Sequence, residues 1–93
     1  MSYQFEWDSK KDKENRSKHK IAFSLAIQAF YDEFCIITND PAHSIEEHRY
    51  FCYGKINGKV ITVRFTYRNG KIRIIGAAYW RKGKKVYDQK NNL

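Results

Sequence analysis

From Glu47 to Tyr79 the chain runs through β-branched, aromatic and basic residues, interrupted by Asn57-Gly58 and again by Asn69-Gly70. Asn-Gly is the pair that a two-residue type I′ hairpin turn requires, because both central residues take positive φ. Two such turns predict three antiparallel strands and fix which side chains stand opposite one another. Counting outward from Asn57-Gly58 sets Lys55 against Val60, Tyr53 against Thr62, Phe51 against Arg64, Arg49 against Thr66 and Glu47 against Arg68. Counting from Asn69-Gly70 sets Arg68 against Lys71, Thr66 against Arg73, Arg64 against Ile75 and Thr62 against Ala77.

Because successive residues of a strand point to opposite sides, the register sorts the sheet into two faces. One collects Glu47, Arg49, Phe51, Tyr53, Thr62, Arg64, Thr66, Arg68, Lys71, Arg73 and Tyr79. The other collects Tyr50, Cys52, Ile61, Val63, Phe65, Tyr67, Ile72, Ile74 and Ala78, a core wall that needs a cover. The upstream sequence supplies one. Ser24 can cap a helix through Leu25, Ala26, Ile27, Ala29 and Phe30, whose apolar residues recur at helical spacing. An earlier, polar helix starts at Asp8 or Ser9, with Ser9 and Asp12 as a weak capping box, and runs to about Lys20. It reads as a solvated rim held by Trp7 before it and Ile21 and Phe23 after it. The expected fold class is α+β: an antiparallel sheet of hairpin-connected strands with two N-terminal helices packed on one face.

Ninety-three residues predict one domain over 1–93, with a small core. Neither a signal peptide nor an apolar stretch of about 18 residues is present, so a cytoplasmic location and no membrane partner are expected. Cys35 and Cys52 read as free thiols, and His43 and His48 do not combine with them at zinc spacing. No cofactor is implied. A net charge of +8 on so short a chain points to a polyanionic partner, nucleic acid or an acidic protein. The alternative for the lysines is plain solvation. Arginines in mid-strand beside Phe51 and Tyr53 are more telling, since that face has no apolar cover.

Phe5-Glu6-Trp7-Asp8, Lys11, Asn15, Lys18-His19, Phe23, Ala26, Phe30, Asp32, Asp40, His43-Ser44, Glu47, Arg49, Gly54, Thr66, Arg68, Gly70 and Ile72-Arg73-Ile74-Ile75 together form an ordered series that resembles the BrnT toxin family. The resemblance covers roughly residues 5 to 76. It implies the toxin half of a type II toxin-antitoxin pair, with a small basic fold similar to RelE ribonucleases. Such a protein blocks translation by cutting RNA, is neutralised by a BrnA-like antitoxin and can assemble with it as a hetero-oligomer. Two departures come late. Ala78 stands where the family pattern leads one to expect arginine, and Tyr79 to Tyr87 reads as a further hairpin about Lys82-Gly83 rather than a carboxy-terminal helix.

Cutting RNA without a metal needs a base near the 2′-hydroxyl, cations on the phosphorane and an acid for the leaving oxygen. Adjacent strands lie about 4.8 Å apart, so Arg49 and Arg73 straddling Thr66, with Arg64 diagonal to them, can converge on one phosphate. Phe51, Tyr53 or Tyr79 can stack a base, with Lys18, Arg68 and Arg81 as further RNA contacts. For the base there are two candidates. Glu47 shares the face, but a salt bridge to Arg68 would make it a feeble base. His19 belongs to the residue type that titrates near neutrality, although one turn from Asn15 it can equally be structural. His43-Ser44 reads as a cap on the loop entering the sheet, because no third orienting group is evident. Tyr87 is a further acid or base candidate by similarity to RelE-like sites, but pairing about Lys82-Gly83 places it on the core side with Ala78. A binding module that holds RNA or an antitoxin on the same residues without cutting remains the alternative.

Overall fold

The computed structural model describes residues 3–92. In chain order the elements are β1 (Phe5–Trp7), α1 (Ser9–His19), α2 (Phe23–Ala26), a 3₁₀ segment (Ile27–Tyr31), β2 (Ile36–Asn39), a 3₁₀ turn (Pro41–His43), β3 (Tyr50–Ile56), β4 (Lys59–Arg68), β5 (Lys71–Ala78) and α3 (Arg81–Lys90). The strands form one sheet in the order β1-β5-β4-β3-β2, antiparallel throughout except that β1 runs parallel to β5. The class is α+β, as expected. No helix among the described residues is long and apolar enough to cross a membrane.

Both Asn-Gly turns take the conformation their composition demands, with φ of 49° and 82° at Asn57-Gly58 and 53° and 75° at Asn69-Gly70. Near the turns the counted register is the observed one. Lys55 pairs with Val60, Tyr53 with Thr62, Phe51 with Arg64, Arg68 with Lys71 and Thr66 with Arg73. Farther along β5 it fails. Phe65 faces Ile74 but Arg64 faces Gly76 and Thr62 faces Ala78, so Ile75 is the extra residue of a β-bulge. The bulge shifts every later residue by one, and the expected pairs Arg64–Ile75 and Thr62–Ala77 do not form. Ala77, not Ala78, enters the core, and Ala78 turns to the other face beside Thr62.

The greasy face is covered by α2 and the 3₁₀ segment, which bring Phe23, Ala26, Ala29 and Phe30 onto Cys52, Val63, Phe65 and Ile74. Phe30 meets Phe65 edge to face at 5.0 Å, a geometry that adds about 0.5–1.5 kcal/mol to simple burial. The backbone of Ala29 rides directly on Gly54, where any Cβ would collide with the Ala29 carbonyl. Ser24 is not the cap: the helix begins at Phe23 after Ala22, and it tightens to 3₁₀ after one turn instead of continuing to Phe30. Tyr67, counted with the core wall, is half exposed at the end of β4.

The polar helix α1 begins where expected, capped by Asp8, whose carboxylate accepts from the Lys10 and Lys11 amides. Asp12 does not close a capping box. It accepts from the Phe23 amide and so ties α1 to α2. Lys20, at φ 60°, ends the helix in a left-handed cap. The helix runs along the edge of β5 rather than over the greasy face. Beyond the short β1, Asn15 replaces a neighbouring strand: its side chain accepts from the Ala77 amide and donates to the carbonyls of Ala77 and Ile21.

The carboxy-terminal segment corrects the expected hairpin. Residues 81–90 form helix α3, which lies across the basic face over β3 and β4. Gly83 makes the approach possible, since a Cβ there would collide with the Thr62 hydroxyl and the Tyr53 ring. Tyr87 is therefore not on the core side. It packs on Tyr53 and Val60 in a second small cluster and donates its hydroxyl proton to Asp32 at 2.7 Å.

Candidate active site

Half of the basic face remains open, and there a cleft of about 400 Å³ is bounded by three pieces of the chain. The end of α1 contributes Asn15 and His19, the Pro41–His43 turn contributes His43, and the β5–α3 junction contributes Ala78, Tyr79 and Trp80. Phe51, Thr62 and Arg64 form the floor. Arg64 is exposed and makes no ion pair among the described residues. It lies over Gly76, where an added Cβ would come within 3.0 Å of the guanidinium. Thr62 is buried, and its hydroxyl has no partner among the described residues.

The 3₁₀ turn orients His43. In a 3₁₀ helix residues three apart eclipse one another, and Pro41 pre-sets the backbone of the first position. Asp40 and His43 are thereby brought together: the buried Asp40 carboxylate accepts from His43 Nδ1 at 2.9 Å. Ser44 clamps the same turn, donating to the Asp40 carbonyl at 2.7 Å and accepting from the Arg49 amide at 2.8 Å. The expectation that His43-Ser44 caps this loop describes Ser44. For His43 the orienting group that sequence did not reveal is Asp40, and the readable signal was Asp-Pro-Ala-His.

The proposed arginine triad is not assembled. Arg73 is held by Glu6, 3.0 Å away, because parallel pairing with β1 sets Glu6 directly against it. Arg49 lies just before β3 and pairs with Glu47 at 3.1 Å. Thr66, counted opposite Arg49, donates its hydroxyl to the His48 carbonyl. Glu47 also bonds Arg68 at 3.0 Å, as the register required. The hydrogen bond from Arg68 holds its carboxyl below the usual carboxylate range, which fits an ion pair and not a base. Together with Arg49 and one side of His43 it borders a separate shallow hollow.

Of the aromatic candidates, Phe51 and Tyr79 line the cleft, while Tyr53 is buried beneath α3. Trp80, absent from the expected set, completes the wall, its ring 5.5 Å from that of Phe51. Lys18 borders a neighbouring hollow that shares His19 and Arg64 with the cleft. Arg81 borders another on the far side of Tyr79 and Trp80. Both cysteines are free. Cys35 donates to the Phe30 carbonyl at 3.8 Å, and Cys52 is fully buried in the core.

Two imidazoles, a guanidinium with no ion pair among the described residues and aromatic walls in one cleft can carry out acid–base chemistry on a nucleic-acid phosphodiester. A family model described as "Ribonuclease toxin, BrnT, of type II toxin-antitoxin system" matches residues 7–83, and the chain belongs to that family. The family is one of ribonuclease toxins of type II toxin-antitoxin systems, which implies RNA as substrate and an antitoxin as partner. No curated protein matches the chain.

Proposed function

We propose that the protein is an endoribonuclease that cuts RNA in this cleft without a metal ion, stops translation by doing so, and is neutralised by a BrnA-like antitoxin that assembles with it as a hetero-oligomer. The observation that carries the reading is the convergence of His19, His43 and Arg64 on one cleft, with His43 oriented by Asp40. With Nδ1–H committed to the carboxylate, Nε2 of His43 is left to accept a proton from the ribose 2′-hydroxyl. The 2′-oxygen bonds to phosphorus, the bond from phosphorus to the 5′-oxygen breaks, and His19 donates the proton that the 5′-oxygen needs. Arg64 neutralises the phosphorane, and Phe51 and Trp80 hold a base. The products are a 2′,3′-cyclic phosphate and a 5′-hydroxyl.

One residue favours the second reading, a module that binds RNA or antitoxin without cutting. Ala78 faces the cleft where the family resemblance implies arginine, which leaves Arg64 as the cleft's guanidinium. Incubating purified protein with single-stranded RNA in the presence of a chelator separates the two. Fragments ending in a cyclic phosphate, lost in a folded His43→Ala variant, support cleavage. Intact RNA with folded protein that still binds it overturns cleavage in favour of binding.

A further inference from the structure

The geometry points to a track for an internal stretch of single-stranded RNA, formed by three joined hollows with the cleft in the middle. This deepens the reading of the cleft as an RNA-cleaving site and rests on it. On one side the cleft shares His19 and Arg64 with a hollow of about 230 Å³ that is also lined by Lys11 and Lys18, with Glu14 between them in the chain as its one carboxylate. On the other side it shares Tyr79 and Trp80 with a hollow of about 490 Å³ lined by Lys55, Lys59, Arg81 and Lys84. Only Lys84 of these cations is in an ion pair, with Asp88 at 2.7 Å, among the described residues. Lys11, Lys18, Lys55, Lys59 and Arg81 are exposed.

The ridge between the cleft and the larger hollow is aromatic and open. Tyr79 is 53% and Trp80 39% exposed, and an ammonium lies over one face of each ring, Lys59 at 5.5 Å from the first centroid and Lys82 at 5.7 Å from the second. Exposed rings interleaved with cations are how single strands are held, bases on the ring faces left open and phosphates on lysines, without reading sequence. A duplex could not use the ridge, because its bases are already stacked on one another. Cations on both sides of the acid–base pair place the cut within a strand, not at its end. The two flanks hold the phosphates before and after it.

The test is equilibrium binding of a fluorescent RNA of about ten nucleotides, within the range of sites that such surfaces cover. Its 2′-oxygens are methylated so that it cannot be cut. The intact chain is compared with the variant Lys55→Ala/Lys59→Ala/Arg81→Ala, with Lys11→Ala/Lys18→Ala, and with Lys55→Arg/Lys59→Arg, after matching their melting temperatures. Each lost phosphate contact lowers the slope of log affinity against log salt by about 0.7 on a single strand. The triple variant is expected to lose about 2 from the slope and the double about 1.4, with affinity at low salt weakened more in the triple than in the double, while the arginine variant keeps its slope. Lengthening the RNA from two to about ten nucleotides should tighten binding to the intact chain and gain much less in either alanine variant. Unchanged slopes in both alanine variants would overturn the track. So would a duplex of equal length that binds as tightly, or variants that lose only a co-expressed protein partner. Cleavage is scored separately with unmethylated RNA: the expected slope losses with no cutting by the intact chain would retain the track and remove the nuclease.

Discussion

His43 Nδ1 stands 2.9 Å from the carboxylate of Asp40, a residue buried at the start of the same short turn. The pair makes an otherwise exposed loop imidazole a group of fixed orientation. Replacing Asp40 by Asn keeps the shape but offers His43 an amide, which can stabilise the wrong tautomer. Asp40→Asn is expected to lower kcat by about 10²-fold, with KM little changed, and His43→Ala by about 10²–10⁴-fold. Initial rates on a short RNA measure both. Equal rates for Asp40→Asn and the intact chain would remove the orienting role.

Arg64 and Arg73 share a face and should behave differently. Arg64→Ala removes the guanidinium of the cleft and should cost about 10²-fold in cleavage with an unchanged melting temperature. Arg73→Ala breaks a half-buried pair with Glu6 and should cost about 1 kcal/mol of stability while cleavage persists. Rates and thermal melts on the two variants decide it, and the opposite assignment would move the phosphate site to the β1 side of the sheet.

Asn15 satisfies three backbone groups that no strand reaches. Asn15→Ala leaves the Ala77 amide and the Ala77 and Ile21 carbonyls unpaired, at about 1–3 kcal/mol for each group that water cannot reach. Asn15→Asp should also destabilise, because a carboxylate can accept from Ala77 but cannot donate to either carbonyl. Denaturant melts check this; an Asp variant as stable as the native chain would contradict it.

Asp32 fastens α3 to the sheet. Burial pushes its carboxyl up, but hydrogen bonds from the Tyr87 hydroxyl and the Lys55 and Phe34 amides outweigh it and leave the group below its ordinary range. A carboxyl depressed on folding adds stability that is fully present above its unfolded pKa, about 3.9, and is lost as pH falls through the lower folded value. Tyr87→Phe should cost about 1–2 kcal/mol near neutral pH and flatten the loss of stability below about pH 4. Melts across that window test it, and an unaltered acid limb would show that other carboxylates govern it.

Ala78 is the last point of leverage. Because it opens on the cleft across from Thr62, Ala78→Arg adds a cation beside the phosphate site without entering the core. Cleavage should rise by about ten- to hundredfold. A variant that folds and cuts no faster would show that the cleft is already complete.

The sequence by itself determined what depends on neighbours in the chain. Asn-Gly dictated both turns, and the turns dictated the pairs within a few residues of them, the Glu47–Arg68 bridge and the basic face that carries Arg64. Asp8 and the polar run after it were enough to begin and shape α1. Tertiary structure decided whatever depended on distant segments. The bulge at Ile75 exchanged the faces of Ala77 and Ala78, since counting from a turn cannot see an extra residue that is accommodated only when the sheet is assembled. A three-residue β1, too short to stand out by pattern, brought Glu6 to Arg73 and withdrew that arginine from the cleft. The segment after Tyr79 has hairpin-like local composition, but it becomes a helix because Gly83 lets it dock on Thr62 and Tyr53, burying Tyr87 there. Local preference is a few tenths of a kcal/mol per residue, and burial of one aromatic side chain outweighs it. The candidate cleft is of that second kind: His19, His43 and Arg64 are far apart in the chain, and only the packing of α1, the 3₁₀ turn and the sheet puts them on one surface.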